Sequence, residues 1–130
     1  MSSATNSQQA HIIINVDVNF SAEESAPEHS YWVYHYHISL HNTGTAAATL
    51  LTRHWVVTDG EEKTQEVHGE GVVGRQPYIR PSETYQYSSR VAINTPVGSM
   101  HGSYQMIDEN GNYFEVAIPA FTLALPNSLH

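Results

Sequence analysis

The residues best suited to chemistry lie in His68-Gly69-Glu70-Gly71-Val72-Val73-Gly74-Arg75-Gln76-Pro77, which contains a G-x-G-x-x-G string. In a dinucleotide-binding fold such glycines bring the backbone up to a pyrophosphate at a helix N-terminus. Here Pro77 and Pro81 follow too closely for a regular helix to run on from Gly74, and Tyr78-Ile79-Arg80 reads as extended. The string therefore lacks the context of a Rossmann fingerprint. Two readings of it remain. Structurally, Gly69, Gly71 and Gly74 allow a bulge, a close strand crossing or positive φ angles in a loop. Functionally, successive backbone N–H groups form a nest for pyrophosphate or a dinucleoside polyphosphate, with Arg75 and Arg80 supplying charge. Glu70, inside the loop, would repel that anion.

Histidines supply a second candidate chemistry. His35 and His37, two apart on one strand, project to the same side about 6–7 Å apart, a spacing that suits two ligands of one metal ion. His41 lies further along that face, and a neighbouring strand could bring His54. Imidazole suits a divalent transition cation such as cobalt, nickel, copper or zinc, whereas magnesium prefers oxygen ligands. The alternative is a polar face turned to solvent. A third group is Arg53-His54-Trp55 with Asp59, structural or part of an interaction surface. Arg53 is in phase with Leu51, Trp55 and Val57, so it projects toward the buried face. A buried guanidinium needs a partner, for which Asp59 or Glu70 is available, or a Trp ring to stack on. Its functional alternative is a clamp for an anion or a peptide carboxylate. No cysteine is present, and no G-x-S-x-G, H-E-x-x-H or H-x-E…C-x-x-C pattern. No catalytic residue is assigned, and a non-enzymatic protein is expected.

The elements that must position these groups alternate with a period of two. Ile12, Ile14, Val16, Val18 and Phe20 mark one half-buried strand. Residues 21–30, with Pro27, read as a loop. Trp32, Tyr34, Tyr36, Ile38 and Leu40 share the inner face of a second strand, opposite Val33, His35, His37, Ser39 and His41. Residues 48–58 form a third strand closed by Asp59-Gly60, and the charged run 61–66 an exposed hairpin or edge. Residues 83–90 and the Met100, Tyr104 and Met106 segment give two more strands. Asn110-Gly111 turns the chain into a strand bearing Phe114, Val116 and Ile118, and Phe121, Leu123 and Leu125 mark a last short one. No helical period runs over ten residues. Seven to eight short strands predict an all-β antiparallel sandwich of the immunoglobulin-like, fibronectin type III-like kind.

At 130 residues the chain fits a single domain over 10–130 behind a disordered tail at 1–9. Five Lys or Arg stand against thirteen Asp or Glu, a net charge of −8, which argues against general nucleic-acid binding. Four of the five cations are arginines (Arg53, Arg75, Arg80 and Arg90), so a local anion site remains available. The first ten residues have neither the charge nor the apolar core of a secretory signal, and no apolar run reaches membrane-spanning length. A cytoplasmic location without membrane insertion is the expectation. An exposed edge strand could pair across a two-fold axis into a dimer.

The chain resembles the ApaG-domain family. The resemblance rests on Ser25-Ala26-Pro27-Glu28, on Leu51-Thr52-Arg53-His54-Trp55 with Asp59, and on the run from Glu66 to Pro77. It continues through Tyr87-Ser88-Ser89, Thr95 to Tyr104, Phe114 to Phe121 and the terminal Leu129-His130. Pro81-Ser82-Glu83 stands where the family usually has Pro-Gly-Glu, and Ser89-Arg90 where it has Ser-Gly. The resemblance implies a fibronectin type III-like sandwich. Stand-alone bacterial members are similar to proteins associated with cobalt resistance and magnesium efflux, encoded beside a diadenosine tetraphosphate hydrolase and a ribosomal RNA methyltransferase. In eukaryotes the domain occurs within F-box proteins and a DNA-polymerase-interacting protein, which implies a protein-interaction role with an unidentified partner. The family's glycine motif has been likened to a pyrophosphate-binding loop, and the resemblance carries over no catalytic residues.

Overall fold

A computed structural model describes residues 8–126; most of the expected tail and the Leu129-His130 motif lie outside them. Alternating apolar residues build eight strands: β1 (Ile12–Ala26), β2 (Tyr31–Asn42), β3 (Ala48–Asp59), β4 (Thr64–Glu70), β5 (Tyr78–Ile79), β6 (Thr84–Ile93), β7 (Gly98–Asp108) and β8 (Tyr113–Leu123). They pair antiparallel into two sheets, β1-β2-β6 and β4-β3-β7-β8, with β5 added to the start of β3. Tyr34, Ile38 and Leu40 from one sheet and Leu50, Tyr104 and Met106 from the other are fully buried between them. This is the expected fibronectin type III-like sandwich. No helix among the described residues is long and apolar enough to cross a membrane.

Three local features differ from the expected pattern. First, β1 does not end near Phe20 but runs on through Ser21–Ala26, and only Pro27–His29 forms a 3-10 turn. The pairing with β2 is irregular between Ser21 and Ala26. Ser25 Oγ donates to the Ser21 carbonyl (2.6 Å) and accepts from the Val33 amide (2.8 Å), so a side chain supplies bonds that the ladder lacks. Second, the last two expected strands are one. In β8 three steps from Ile118 to Phe121 oppose two in β7 from Gly102 to Met100. That bulge lies at Pro119, on an edge strand, where a missing N–H is tolerated.

The third feature lies in β3. Leu50 pairs with Met106 but Thr52 pairs with Gln105, so Leu51 is an extra residue. The bulge changes the facing of the strand. Ala48 and Leu50 are buried before it, and Trp55 and Val57 after it. Leu51 itself is therefore not the first member of the buried row that contains Arg53, as its spacing suggested. The charged run after Asp59 makes a tight turn and then the edge strand β4.

One buried polar side chain closes the end of the sandwich near β5. Asn42 is fully enclosed, and its Nδ2 donates to the Ala46 and Ile79 carbonyls at 2.9 and 3.0 Å. Its Oδ1 accepts from the His11 and Gly44 amides at 3.2 and 2.9 Å. Both functions of the amide are thus used. Asn42→Ala leaves several backbone groups without partners and should lower stability by about 3 kcal/mol. Urea unfolding of the variant against the wild type measures this directly.

Candidate functional site

The glycine stretch folds around the β3 bulge. The Leu51 carbonyl accepts from the Gly71 amide (2.8 Å) and from Gln76 Nε2 (2.9 Å), and the Leu50 amide donates to the Pro77 carbonyl (3.0 Å). Between these anchors Val72 and Arg75 exchange two backbone bonds of 2.8 and 3.0 Å. The two residues they enclose, Val73 and Gly74, have φ of +47° and +78°, a two-residue turn with positive φ at both central positions. Gly71 is also at positive φ (+60°), and a Cβ there would lie 2.1 Å from the Arg75 carbonyl oxygen. No helix follows.

Gly69 makes room for a side chain. It pairs with Arg53 across β3 and β4, and a Cβ on it would come within 2.7 Å of the guanidinium. Arg53 occupies that space, and its Nη1 donates to the Glu70 and Gly71 carbonyls at 3.1 and 3.0 Å. Its partners are therefore backbone oxygens, neither of the expected carboxylates and no tryptophan face. Asp59 is committed elsewhere, its Oδ1 accepting from the Glu61 and Lys63 amides at 2.8 and 3.0 Å to close the β3–β4 turn. Trp55 is buried with its ring edge-on to Tyr36 and Phe121, at centroid distances of 5.4 and 5.9 Å. Among the described residues no carboxylate lies within ion-pair distance of Arg53.

That half-buried charge borders a cluster of tyrosines. The Tyr87 and Tyr104 hydroxyls meet at 2.5 Å. Burial pushes the hydroxyls of Tyr36, Tyr87 and Tyr104 upward, so all stay neutral, while the Arg53 charge opposes the shift in each. Outward from Arg53 opens a groove of about 210 Å³ along the flank where the free edges of β4 and β6 face each other. Val67 and Val91 and the buried Tyr36, Trp55 and Met100 back it, Ser89 adds a hydroxyl, and Arg53 and Arg90 are its only charged residues.

The remaining expected residues are dispersed. Arg75 is exposed at the turn, and Arg80 lies 5.4 Å from the Tyr78 ring centroid with its Nη1 3.7 Å from Glu83. Ser82, which replaces a glycine usual in the family, adopts φ of +72°. His35 and His37 stand on the outer face of the β1-β2-β6 sheet. His35 contacts Glu24, which Arg90 also contacts. His37 shares hydrogen bonds with Ser88 Oγ (2.8 Å) and Gln86 Oε1 (2.7 Å). His54 belongs to the other sheet. Its ring stacks on that of His68 at 4.2 Å between centroids, and its Nε2 is 2.8 Å from Glu66 Oε1. The Glu66 carboxyl is held below its usual range chiefly by that hydrogen bond. Glu66 and His68 were not singled out as ligands from sequence. Their alternation on one strand was visible, but the register that sets His68 opposite His54 was not.

Two outcomes follow. Val73 is a β-branched residue at positive φ, so Val73→Asn should relieve strain and raise stability by about 1 kcal/mol, read as a higher Tm. Contacts with His35, Ser21 and Arg90, in that order, bring the Glu24 carboxyl from its ordinary 4.5 to about 2. Its folded-state pKa is depressed, so its contribution is complete above about 4.5 and disappears as pH falls through 2. Denaturant unfolding of wild type and Glu24→Gln should therefore differ at pH 5 and converge toward pH 2.

The comparisons with known proteins agree in one direction. The family model described as the ApaG domain matches residues 22–108. A protein named ApaG from Thiobacillus denitrificans is 54% identical over 119 residues, covering 90% of this chain and 94% of its own. One from an Azoarcus species is 47% identical over 124 residues, covering 95% and 98%. The crystal structure of the ApaA protein from Bordetella pertussis superposes with a TM-score of 0.89 at 42% identity, covering 92% of this chain and 97% of its own. With a family model spanning residues 22–108 and relatives about half identical over nearly its whole length, this chain belongs to the ApaG-domain family.

Proposed function

We propose that this chain is a non-enzymatic protein-interaction domain that binds an extended, largely apolar segment of a partner protein along the β4–β6 flank, with Arg53 receiving a carboxylate of that segment. The observation that carries this reading is the half-buried Arg53, which borders a groove backed by apolar side chains and polar at its surface, and which lacks a carboxylate partner among the described residues. A guanidinium in that position still has donors to offer, and its fork matches a carboxylate. The groove lies between two free strand edges, whose unpaired backbone groups can pair with an added chain. From the second half of β6 to Asn94, residues 89–94 line the flank, enough for an extended segment of roughly 20 Å. The acidic residues elsewhere on the chain select against a strongly acidic partner, so one carboxylate in an apolar context fits best. The names of the relatives state no catalytic activity, and the family resemblance to cobalt-resistance and magnesium-efflux proteins gives the role a setting in divalent-cation homeostasis.

Selection from a phage library of random hexapeptides tests the reading. Bound sequences should share one Asp, Glu or free C-terminus among apolar residues. Arg53→Lys, which keeps the charge and loses the fork, should weaken them about tenfold. Ser89→Glu should block binding by placing a carboxylate beside Arg53 within the chain. Peptides that bind both variants as tightly as wild type would overturn the assignment, provided circular dichroism shows both variants folded.

A further inference from the structure

The face of β3 and β4 opposite the groove carries a separate arrangement. Val67 points inward, so Glu66 and His68 point outward, and the register sets His68 directly across from His54. The donor atoms of His54, Glu66 and His68 all lie within 4.8 Å of one another, and among the described residues no other three His, Asp or Glu side chains converge so closely. Glu66 Oε1 is 2.8 Å from His54 Nε2 and 3.7 Å from His68 Nε2. A tetrahedral zinc ion with bonds of about 2.0–2.2 Å holds its donors roughly 3.3–3.5 Å apart. The observed spacings bracket that value.

We infer that His54, Glu66 and His68 form a binding site for a zinc-class divalent transition metal, with one coordination position open to solvent or to a ligand of a partner. Two imidazoles and one carboxylate are the donor set of an open zinc site, and imidazole disfavours magnesium. The remaining charge around the site is mixed: Glu70, Glu115 and Arg53 line the same hollow. The two carboxylates favour a cation. Arg53 is tied to the Glu70 and Gly71 carbonyls. Binding requires one adjustment. A metal sits near the plane of each imidazole that ligates it, whereas these rings are parallel within 9°. The stack must open, and His54 Nε2 must exchange its hydrogen bond with Glu66 for the metal. His68 and Glu66 have room to move, with side chains 71% and 60% exposed, while His54, at 30%, is the fixed member.

This site differs from the pair His35 and His37, which stand on the other sheet with hydrogen-bonding partners of their own. It does not depend on the peptide groove. Calorimetric titration of tag-free protein with zinc chloride separates the alternatives. One ion should bind per chain. His68→Ala and Glu66→Gln should each weaken it at least about tenfold, and His35→Ala combined with His37→Ala should leave it unchanged. Both single changes are at exposed positions, and the Tm of each metal-free variant confirms folding. Absence of saturable zinc binding overturns the inference. So does zinc affinity that survives His68→Ala and Glu66→Gln, or that is lost only in the His35 and His37 variant.

Discussion

The organisation of this protein depends on one extra residue in β3. The bulge at Leu51 turns the strand over, and the rest of the site follows from its phase. Beyond it Arg53, Trp55 and Val57 face the interior, and His54 faces out. A bulge leaves ladder groups without their regular partners, and an interior strand has no solvent to satisfy them. The glycine loop supplies those partners, through Gly71 and Gln76 on the Leu51 carbonyl and Pro77 on the Leu50 amide. The most conspicuous motif in the chain is thus a clamp on a strand irregularity. Gly71 has to be glycine because a Cβ would strike the returning turn, whereas Gly69 leaves the space that the Arg53 guanidinium fills.

A cation seated in that clamp is expensive to bury, and two carbonyl oxygens are a modest return for its desolvation. The arrangement is tolerable because Arg53 is only half-buried and opens on the flank. The neighbouring tyrosines share the polar load. One hydrogen bond joins the Tyr87 and Tyr104 hydroxyls, and the positive charge beside them favours their oxygens. Such a group keeps directional donors at the boundary between core and water. Under the proposed function, a carboxylate of the partner segment would use the donors that the fold leaves free.

The same two strands serve two surfaces. Their inner residues Arg53, Trp55 and Val67 line the groove, while His54, Glu66 and His68 stand on the outer face. Alternation of side chains in a strand makes this division automatic once the register is set. β4 is an edge strand, so both surfaces lie where an approaching molecule meets little obstruction. By contrast, the outer face of the β1-β2-β6 sheet is occupied by polar pairs. His35, His37 and His41 each engage a neighbouring side chain there.

The sequence alone determined the class of fold, because period-two alternation in segments such as 12–20 and 32–40 leaves a sandwich as the natural way to bury one face. It also determined that the glycine string opens no helix, since Pro77 and Pro81 forbid one. Family membership was legible in the motifs from Ser25 to Phe121. What it could not determine were events that depend on two chain segments meeting. The bulge near Pro119 shows only as a change of phase, from Phe114, Val116 and Ile118 to Phe121 and Leu123, which also fits two separate strands. The one at Leu51 is masked by the adjacent Leu50. The backbone partners of Arg53 were hidden because carbonyl oxygens are present at every position, whereas a carboxylate is visible as a residue type. The pairing of His54 with His68 likewise required the β3–β4 register. Composition and spacing specify which groups a strand presents on each face; only pairing in three dimensions decides which of them meet.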